Sequence, residues 1–158
     1  MIDSTTTDAN GEYSFSNLPM GSNYFVSATS ERCVRDGISL QDITRVRDHL
    51  LAENEFDDPY LFLVADVNND GFISVNDLVF IQFLLLQLIQ EFPVPETFII
   101  ARSDMVFSET NPLPTQWQSN ALIFEVSNLS GPALVPDYVA YKLGDTTLSS
   151  NGSSSTCN

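Results

Sequence analysis

The chain has 158 residues, of which 43% are hydrophobic, and its 6 basic and 21 acidic side chains give a formal net charge of −15. This length allows one or two small domains with a core, whereas the acidic balance argues against binding to nucleic acid, which needs a basic surface. An acidic excess suits a calcium-rich or saline exterior, where cations screen the repulsion between like charges.

The two cysteines, Cys33 and Cys157, match neither a zinc-site spacing nor a dense disulfide framework. They either pair or stay free. A polar stretch follows Met1, so no signal peptide is visible. No apolar run reaches the about 20 residues that a membrane span needs. We expect a piece of a longer protein, without a transmembrane segment.

Residues 1–30 are predicted to form a β-hairpin. Asp8-Ala9-Asn10-Gly11 has the composition of a hairpin turn, and Glu12–Ser16 alternates between polar and apolar residues. Leu18–Gly21 forms a second turn, and Asn23–Ala28 is the second strand. Two strands alone are only marginally stable in water.

An internal repeat lies within residues 31–92, with an offset of 35 residues. The segment Ile38–Ile43 aligns with Ile73–Leu78, and Val46 then falls on Ile81. The first copy has an apolar stripe at helical spacing, made by Ile43, Val46 and Leu50. Two such helices can pack antiparallel and bury their stripes together. His49 lies on the polar face of the first helix, and we expect it at the surface.

Residues 66–77 carry the pattern of an EF-hand-type calcium loop. Oxygen-bearing side chains stand at its first, third, fifth, ninth and twelfth positions, and Gly71 supplies the sharp bend at the sixth. Calcium prefers oxygen ligands in a roomy shell, and Asp stands at the twelfth position instead of the usual Glu. The predicted ligands are one backbone carbonyl, that of Phe72, and five side chains: Asp66, Asn68, Asp70, Ser74 and Asp77.

The calcium loop leads into an apolar segment, Leu78–Ile89, which is interrupted only by Gln82 and Gln87. Ser74 and Asp77 have the spacing of a capping box at the start of a helix. A helix that is apolar on every face is normally buried on more than one side. We therefore expect this second helix to be the hub of packing or of contact with a partner.

The loop before the first helix departs from the calcium pattern. Asp36-Gly37 lies 34 rather than 35 residues before Asp70-Gly71, and Arg35 stands where an oxygen ligand is expected. Asp36, Ser39 and Asp42 are the candidate ligands of a second ion. The alternative is a metal-free turn that caps the first helix, and the residues alone leave both open.

Residues 93–146 are predicted to be rich in β-structure. Pro93 and Pro95 stop the preceding helix. The candidate strands are Thr97–Arg102, Met105–Phe107, Ala121–Ser127 and Asp137–Lys142. Trp117 is expected to be a packing anchor. Residues 147–158 are rich in Ser, Thr, Asn and Gly, which is typical of a flexible tail.

Two segments resemble known families. The repeated calcium loop and helix, with Asp at the last loop position, resembles a dockerin, a small calcium-folded module whose helices bind a cohesin; this resemblance covers about residues 30–92. The N-terminal hairpin resembles the end of a Cna-B-like or carboxypeptidase-regulatory-like β-sandwich. The residues that carry the second resemblance are Thr7-Asp8, Asn10-Gly11, Tyr13, Phe15, Leu18-Pro19, Gly21 and, one place later than in that pattern, Tyr24.

A broader resemblance is to modules of large secreted bacterial surface proteins. It is carried by Tyr24–Ala28, Gly37–Leu51, a connector at Asp58–Tyr60, Ala65–Asn68 and Tyr138–Asp145. No enzyme activity is attached to such modules, and the sequence has no catalytic constellation of its own.

These observations predict an α+β fold, in which a dockerin-like pair of calcium-loop helices lies between the N-terminal hairpin and the C-terminal β-segment. The resemblance implies a non-catalytic, calcium-stabilised protein–protein interaction module. Together with the calcium loop and the acidic charge, it predicts an extracellular location, secreted or at the cell surface. The alternative is a structural subunit of an extracellular filament or sheath, assembled by strand addition and calcium-stabilised contacts. In either case, contacts are expected through the second helix and the β edges.

Overall fold

The computed structural model describes residues 3–29, 34–95, 97–107, 109–113, 123–133 and 135–149. Within these ranges the helices are α1 (Leu40–Leu50), α2 (Pro59–Ala65) and α3 (Val75–Leu85), and the strands are β1 (Tyr24–Val26), β2 (Phe98–Arg102), β3 (Phe124–Val126) and β4 (Tyr138–Lys142). The predicted α+β class is confirmed. The predictions for Cys33, Trp117 and Cys157 lie outside the described residues.

The first of two compact units consists of residues 1–26 and 124–135. Its strand β1 pairs antiparallel with β3, and Phe25 stands opposite Glu125. Beyond the strands, the Gly21 N–H donates to the Leu129 carbonyl at 2.8 Å, and the Leu129 N–H donates to the Ser22 carbonyl at 2.9 Å. These bonds fix the register of the pair.

The predicted hairpin between Glu12–Ser16 and Asn23–Ala28 is therefore wrong. The predicted turn is present, since the Asp8 carboxylate accepts the N–H groups of Asn10 and Glu12, but residues 12–16 form no strand. Alternation of polar and apolar residues indicates an extended segment without identifying its partner. In this chain the partner lies about 100 residues further on.

The second unit consists of residues 27–123 and 136–158, and its helices α1 and α3 show the 35-residue repeat in their caps. Ser39 and Ser74 are the N-caps, with φ of −142° and −141° and ψ of 178° in both. Each forms a reciprocal capping box with the Asp three residues later, Asp42 or Asp77. α1 and α3 pack directly against each other.

α3 ends at Leu85 rather than at the predicted Ile89. Gln87 adopts a left-handed conformation with φ of 59°, and the Leu88 N–H reaches back to the Phe83 carbonyl at 2.9 Å. This arrangement is a Schellman motif, which stops a helix by satisfying its last carbonyls. α1 ends in the same way, so the repeat extends to the helix ends.

The most buried of the three described helices is α2, which begins within the predicted connector, Asp58–Tyr60. Asp58 caps it by accepting the Tyr60 N–H at 2.9 Å, and Pro59 occupies its first turn. Residues 61–65 are all buried. They join both repeats and β2 in one core, made by Ile38, Val46, Phe56, Leu61, Phe62, Leu63, Val64, Ala65, Val67, Ile81, Leu84, Phe92, Ile99 and Leu143.

β2 and β4 form an antiparallel pair in which Phe98 lies opposite Lys142 and Arg102 lies opposite Tyr138. The only lysine of the chain is buried there, and its Nζ lies 4.7 Å from the centre of the Phe98 ring, a cation–π geometry. The predicted strands Thr97–Arg102 and Asp137–Lys142 agree with β2 and β4 to within one residue. Two other strand predictions change, because residues 105–107 form no strand and β3 is shorter than predicted.

His49 is half-buried rather than at the surface as predicted. Its ring stacks on the Phe56 ring with centroids 4.2 Å apart, and its Nδ1 accepts the Phe56 N–H at 3.1 Å. The segment after α1 folds back over the helix and covers the imidazole. Burial lowers the pKa of His49 below its ordinary value.

We expect the free energy of unfolding to decrease as the pH falls below about 6.5, the ordinary pKa of His. The folded-state pKa of His49 lies below the unfolded value, so the stabilisation by the neutral ring is fully present above that pH. It is lost towards the folded pKa, where protonation removes the acceptor of the Phe56 N–H. The measurement is the urea midpoint against pH, relative to His49→Gln, which does not titrate; identical profiles would contradict the expectation.

Candidate metal centre

The predicted calcium loop joins two helices of the second unit. α2 ends at Ala65, with Asp66 as its C-cap, and α3 begins after the N-cap Ser74. The loop is therefore held between the buried end of α2, residues 61–65, and the helix that packs on α1. The sequence pattern predicted only the second of these two helices, α3.

Asp66 organises the first half of the loop. Its side chain is buried, its Oδ1 accepts the Asp70 N–H at 3.1 Å, and its Oδ2 accepts the Gly71 N–H at 2.9 Å. Left-handed conformations at Asn69 and Gly71, with φ of 53° and 87°, turn the chain around this carboxylate. Asn68 Oδ1 also accepts the Asp70 N–H, at 3.0 Å.

Asp77 closes the loop from inside α3. It is fully buried, and its Oδ2 accepts the N–H and the hydroxyl of Ser74 at 2.9 and 3.1 Å. Its Oδ1 accepts the Val67 N–H at 3.1 Å. One carboxylate thus connects the first turn of α3 to the start of the loop, ten residues earlier in the chain.

The third carboxylate, Asp70, is exposed at the outer side of the loop. Its Oδ2 accepts the Asn68 Nδ2–H at 2.8 Å, and its Oδ1 accepts the Phe72 N–H at 3.0 Å. The Phe72 ring is 71% exposed, which leaves the backbone as the part of Phe72 that can serve the loop. All the oxygen atoms predicted as calcium ligands therefore belong to one loop and to the start of the helix that follows it.

Among the described residues, no cationic side chain forms an ion pair with the carboxylates of the loop. Burial raises the pKa of Asp66, against the lowering effect of the Gly71 hydrogen bond, and the charge of Asp77 raises it further. Burial also raises the pKa of Asp77, to which Asp70 adds repulsion. Among the described residues, the ion pairs join other carboxylates, those of Asp57, Asp48 and Asp104.

The chemistry of the loop fits a hard cation. The predicted ligands are all oxygen atoms, and the two buried carboxylates lack a positive partner among the described side chains. In the structure the oxygens of these carboxylates accept hydrogen bonds from N–H and O–H groups. The described ranges contain no cluster of three or more His, Cys, Asp or Glu side chains that could hold a metal ion.

The candidate ligands of the first loop are only partly brought together. Asp42 is fully buried and its Oδ2 accepts the N–H and hydroxyl of Ser39 at 2.7 and 3.0 Å. No hydrogen bond between described residues joins Asp36 to either of them. The other carboxylate oxygen of Asp42 is occupied by Thr147. This geometry favours the metal-free cap over the second ion site.

Thr147 belongs to residues 147–158, the segment predicted to be a flexible tail. That prediction is wrong for residues 147–149, which contact Asp42, Asp145 and Gly37. The polar composition of the segment suggested a linker, but its donors satisfy a buried carboxylate. Composition alone contains no signal for this role, because the acceptor lies 105 residues earlier.

Comparison of the chain with protein-family models, curated protein sequences and solved structures gave no match. Among the described residues, no helix combines the length and the hydrophobicity needed to cross a membrane.

Proposed function

We propose that the chain is a calcium-stabilised protein–protein interaction module of the dockerin type, non-catalytic and extracellular. The observation that supports this proposal best is the loop between α2 and α3, where the buried carboxylates Asp66 and Asp77 carry negative charge without a cationic partner among the described residues. A divalent cation would neutralise this charge at the junction of two core helices.

The residues that would hold calcium are those of the loop: Asp66, Asn68, Asp70, the Phe72 carbonyl, Ser74 and Asp77. Calcium would supply the positive charge that the loop lacks, and the ion binds about six to eight oxygen ligands. Asp77 would couple calcium binding to α3, because Asp77 is also a residue of the first turn of that helix. Loops of extracellular modules bind calcium at about 10⁻⁴–10⁻³ M, far above cytosolic levels, which favours a location outside the cytoplasm.

A candidate partner surface lies at the ends of the repeated helices. Leu40 and Val75, the first residues of α1 and α3, are 74% and 66% exposed, and the C-cap residues Leu51 and Leu86 are 60% and 59% exposed. Exposed apolar side chains that recur at equivalent positions support a role in protein contact. With a net charge of −15, the module favours a partner with basic groups around an apolar centre.

The alternative function, a subunit of an extracellular filament or sheath, is supported by the sheets. Among the described residues, each of the two sheets has only two strands, β1 with β3 and β2 with β4. Sheets this small present strand edges to which another chain can add a strand. Growth without limit would need contacts that do not close into a ring.

The test combines binding and sedimentation measurements on the whole chain. A panel of cohesin domains and a second copy of the chain are tested, in calcium and in chelator, with Leu40→Asp/Val75→Asp as the surface variant and Gln82→Lys as the control. A discrete complex with a cohesin domain that needs calcium, and that the surface variant loses, is the expected result. Failure of every cohesin domain to bind would overturn the dockerin-type function, and concentration-dependent fibres would establish the alternative.

A further inference from the structure

The equivalent carboxylates of the two repeats, Asp42 and Asp77, are satisfied in different ways. Both are fully buried, and in both Oδ2 accepts the N–H and hydroxyl of the N-cap Ser. The Oδ1 of Asp77 accepts the Val67 N–H of its own loop at 3.1 Å. The Oδ1 of Asp42 instead accepts the N–H and the hydroxyl of Thr147, at 2.9 and 3.0 Å.

The segment that delivers Thr147, residues 143–149, is fixed at both of its ends. The Leu143 N–H donates to the Thr97 carbonyl at 3.1 Å, and the Gly144 N–H donates to the Val64 carbonyl in α2 at 2.7 Å. At the other end, the Ser149 hydroxyl donates to the carbonyl of Gly37 in the first loop at 3.0 Å. The segment therefore runs from the core helix to the first loop.

Asp145 holds the segment in a tight turn. It is fully buried, and its Oδ1 accepts the Ser149 N–H at 3.0 Å. The Thr147 hydroxyl lies 3.1 Å from this oxygen and 3.0 Å from Asp42 Oδ1. A hydroxyl has one proton and donates to one of them at a time, whereas the Thr147 N–H donates to Asp42 throughout. The Thr146 hydroxyl adds a bond to the Asp42 carbonyl at 3.2 Å.

We propose that residues 143–149 form an intramolecular clamp that takes the place of a cation in the first repeat. A buried carboxylate needs charge-assisted hydrogen bonds or a counter-ion, and the clamp supplies the bonds from the chain itself. The start of α1 is thus held permanently, while the start of α3 is left to respond to calcium. The contrast with α3 rests on the proposed function; the clamp on α1 does not.

The test is hydrogen exchange at the α1 amides of Thr146→Val/Thr147→Val, which removes both hydroxyls and keeps the backbone. We expect protection at residues 42–46 to fall about tenfold or more, in calcium and in chelator alike, because hydrogen bonds to a buried charge are lost. The matched control is Thr5→Val/Thr6→Val, an exposed pair in the other unit. Thr147→Ser retains both donors and should exchange like the wild type.

Unchanged α1 protection in the double variant would overturn the clamp. If the double variant does not fold, Thr147→Val alone takes its place, with a smaller loss expected and an unchanged α1 again refuting the clamp. Two calcium ions per wild-type chain in calorimetry would also refute it. A loss of α1 protection without any calcium response of α3 would support the clamp and overturn the calcium function, so the two failures are distinct.

Discussion

Replacing Asp66 and Asp70 with Ala is expected to weaken calcium binding at least about 100-fold. The double substitution removes a buried and an exposed carboxylate from the loop and leaves Asp77 as its only acidic ligand. Affinity in such loops is set by the number of charged ligands and by the rigidity of the site. The Asp66 change also frees the Gly71 N–H and leaves the Asp70 N–H with Asn68 Oδ1 as its acceptor, which loosens the turn. Isothermal titration of calcium measures the effect.

The matched control for this variant is Asp3→Ala/Asp57→Ala. Both residues are exposed and lie outside the loop, and the net charge changes by the same amount. The control should bind calcium like the wild type. If instead the two double variants lose affinity equally, general electrostatic attraction explains the binding and the loop is not the site.

Gly144→Ala should destabilise the second unit by about 2–4 kcal/mol, the sum of an unfavourable left-handed conformation and overpacking. Gly144 has φ of 85°, and an added Cβ would lie 2.9 Å from Phe92 Cζ and 3.1 Å from Ile38 Cδ1. Both side chains are buried in the core, and the Gly144 N–H holds the segment to α2 through the Val64 carbonyl. The segment therefore cannot move away from the contact without losing this hydrogen bond.

Urea unfolding in calcium-free buffer measures this change, and Gly71→Ala is the control. Gly71 has a similar φ of 87°, but a Cβ there would meet no atom within 4 Å. We expect the control to lose only the conformational part, about 1 kcal/mol. Equal losses in the two variants would show that close packing around Gly144 is not what excludes a side chain.

The features that could be predicted from the sequence are those fixed by near neighbours. The capping boxes at Ser39 and Ser74 depend on an Asp three residues later. The spacing predicted the box at Ser74, and the 35-residue repeat places Ser39 at the equivalent position. The predicted ligands of the loop likewise lie close together in the sequence, between Asp66 and Asp77. The end of α3 was mispredicted because Leu86, Leu88 and Ile89 continue the apolar segment, while the Schellman motif at Gln87 depends on backbone conformation rather than on hydrophobicity.

The features that were missed depend on distant partners. β1 pairs with β3 because of contacts about 100 residues apart, and no local pattern encodes them. Thr147 reaches Asp42 across a similar distance. α2 is the exception. Its start at Asp58-Pro59, followed by the apolar residues 60–65, is a local helix signal, but the sequence there was interpreted as a connector.

We propose that calcium in the 66–77 loop controls the packing of α3, and hydrogen exchange tests this proposal most directly. Amide exchange across residues 78–89 is compared in saturating calcium and in chelator, with the α1 amides of the same samples as the internal reference. Binding to the folded state alone stabilises it by mass action. The predicted result is about tenfold or greater protection of the α3 amides by calcium, with a smaller change in α1. Equal protection of residues 78–89 in both conditions would contradict the claim.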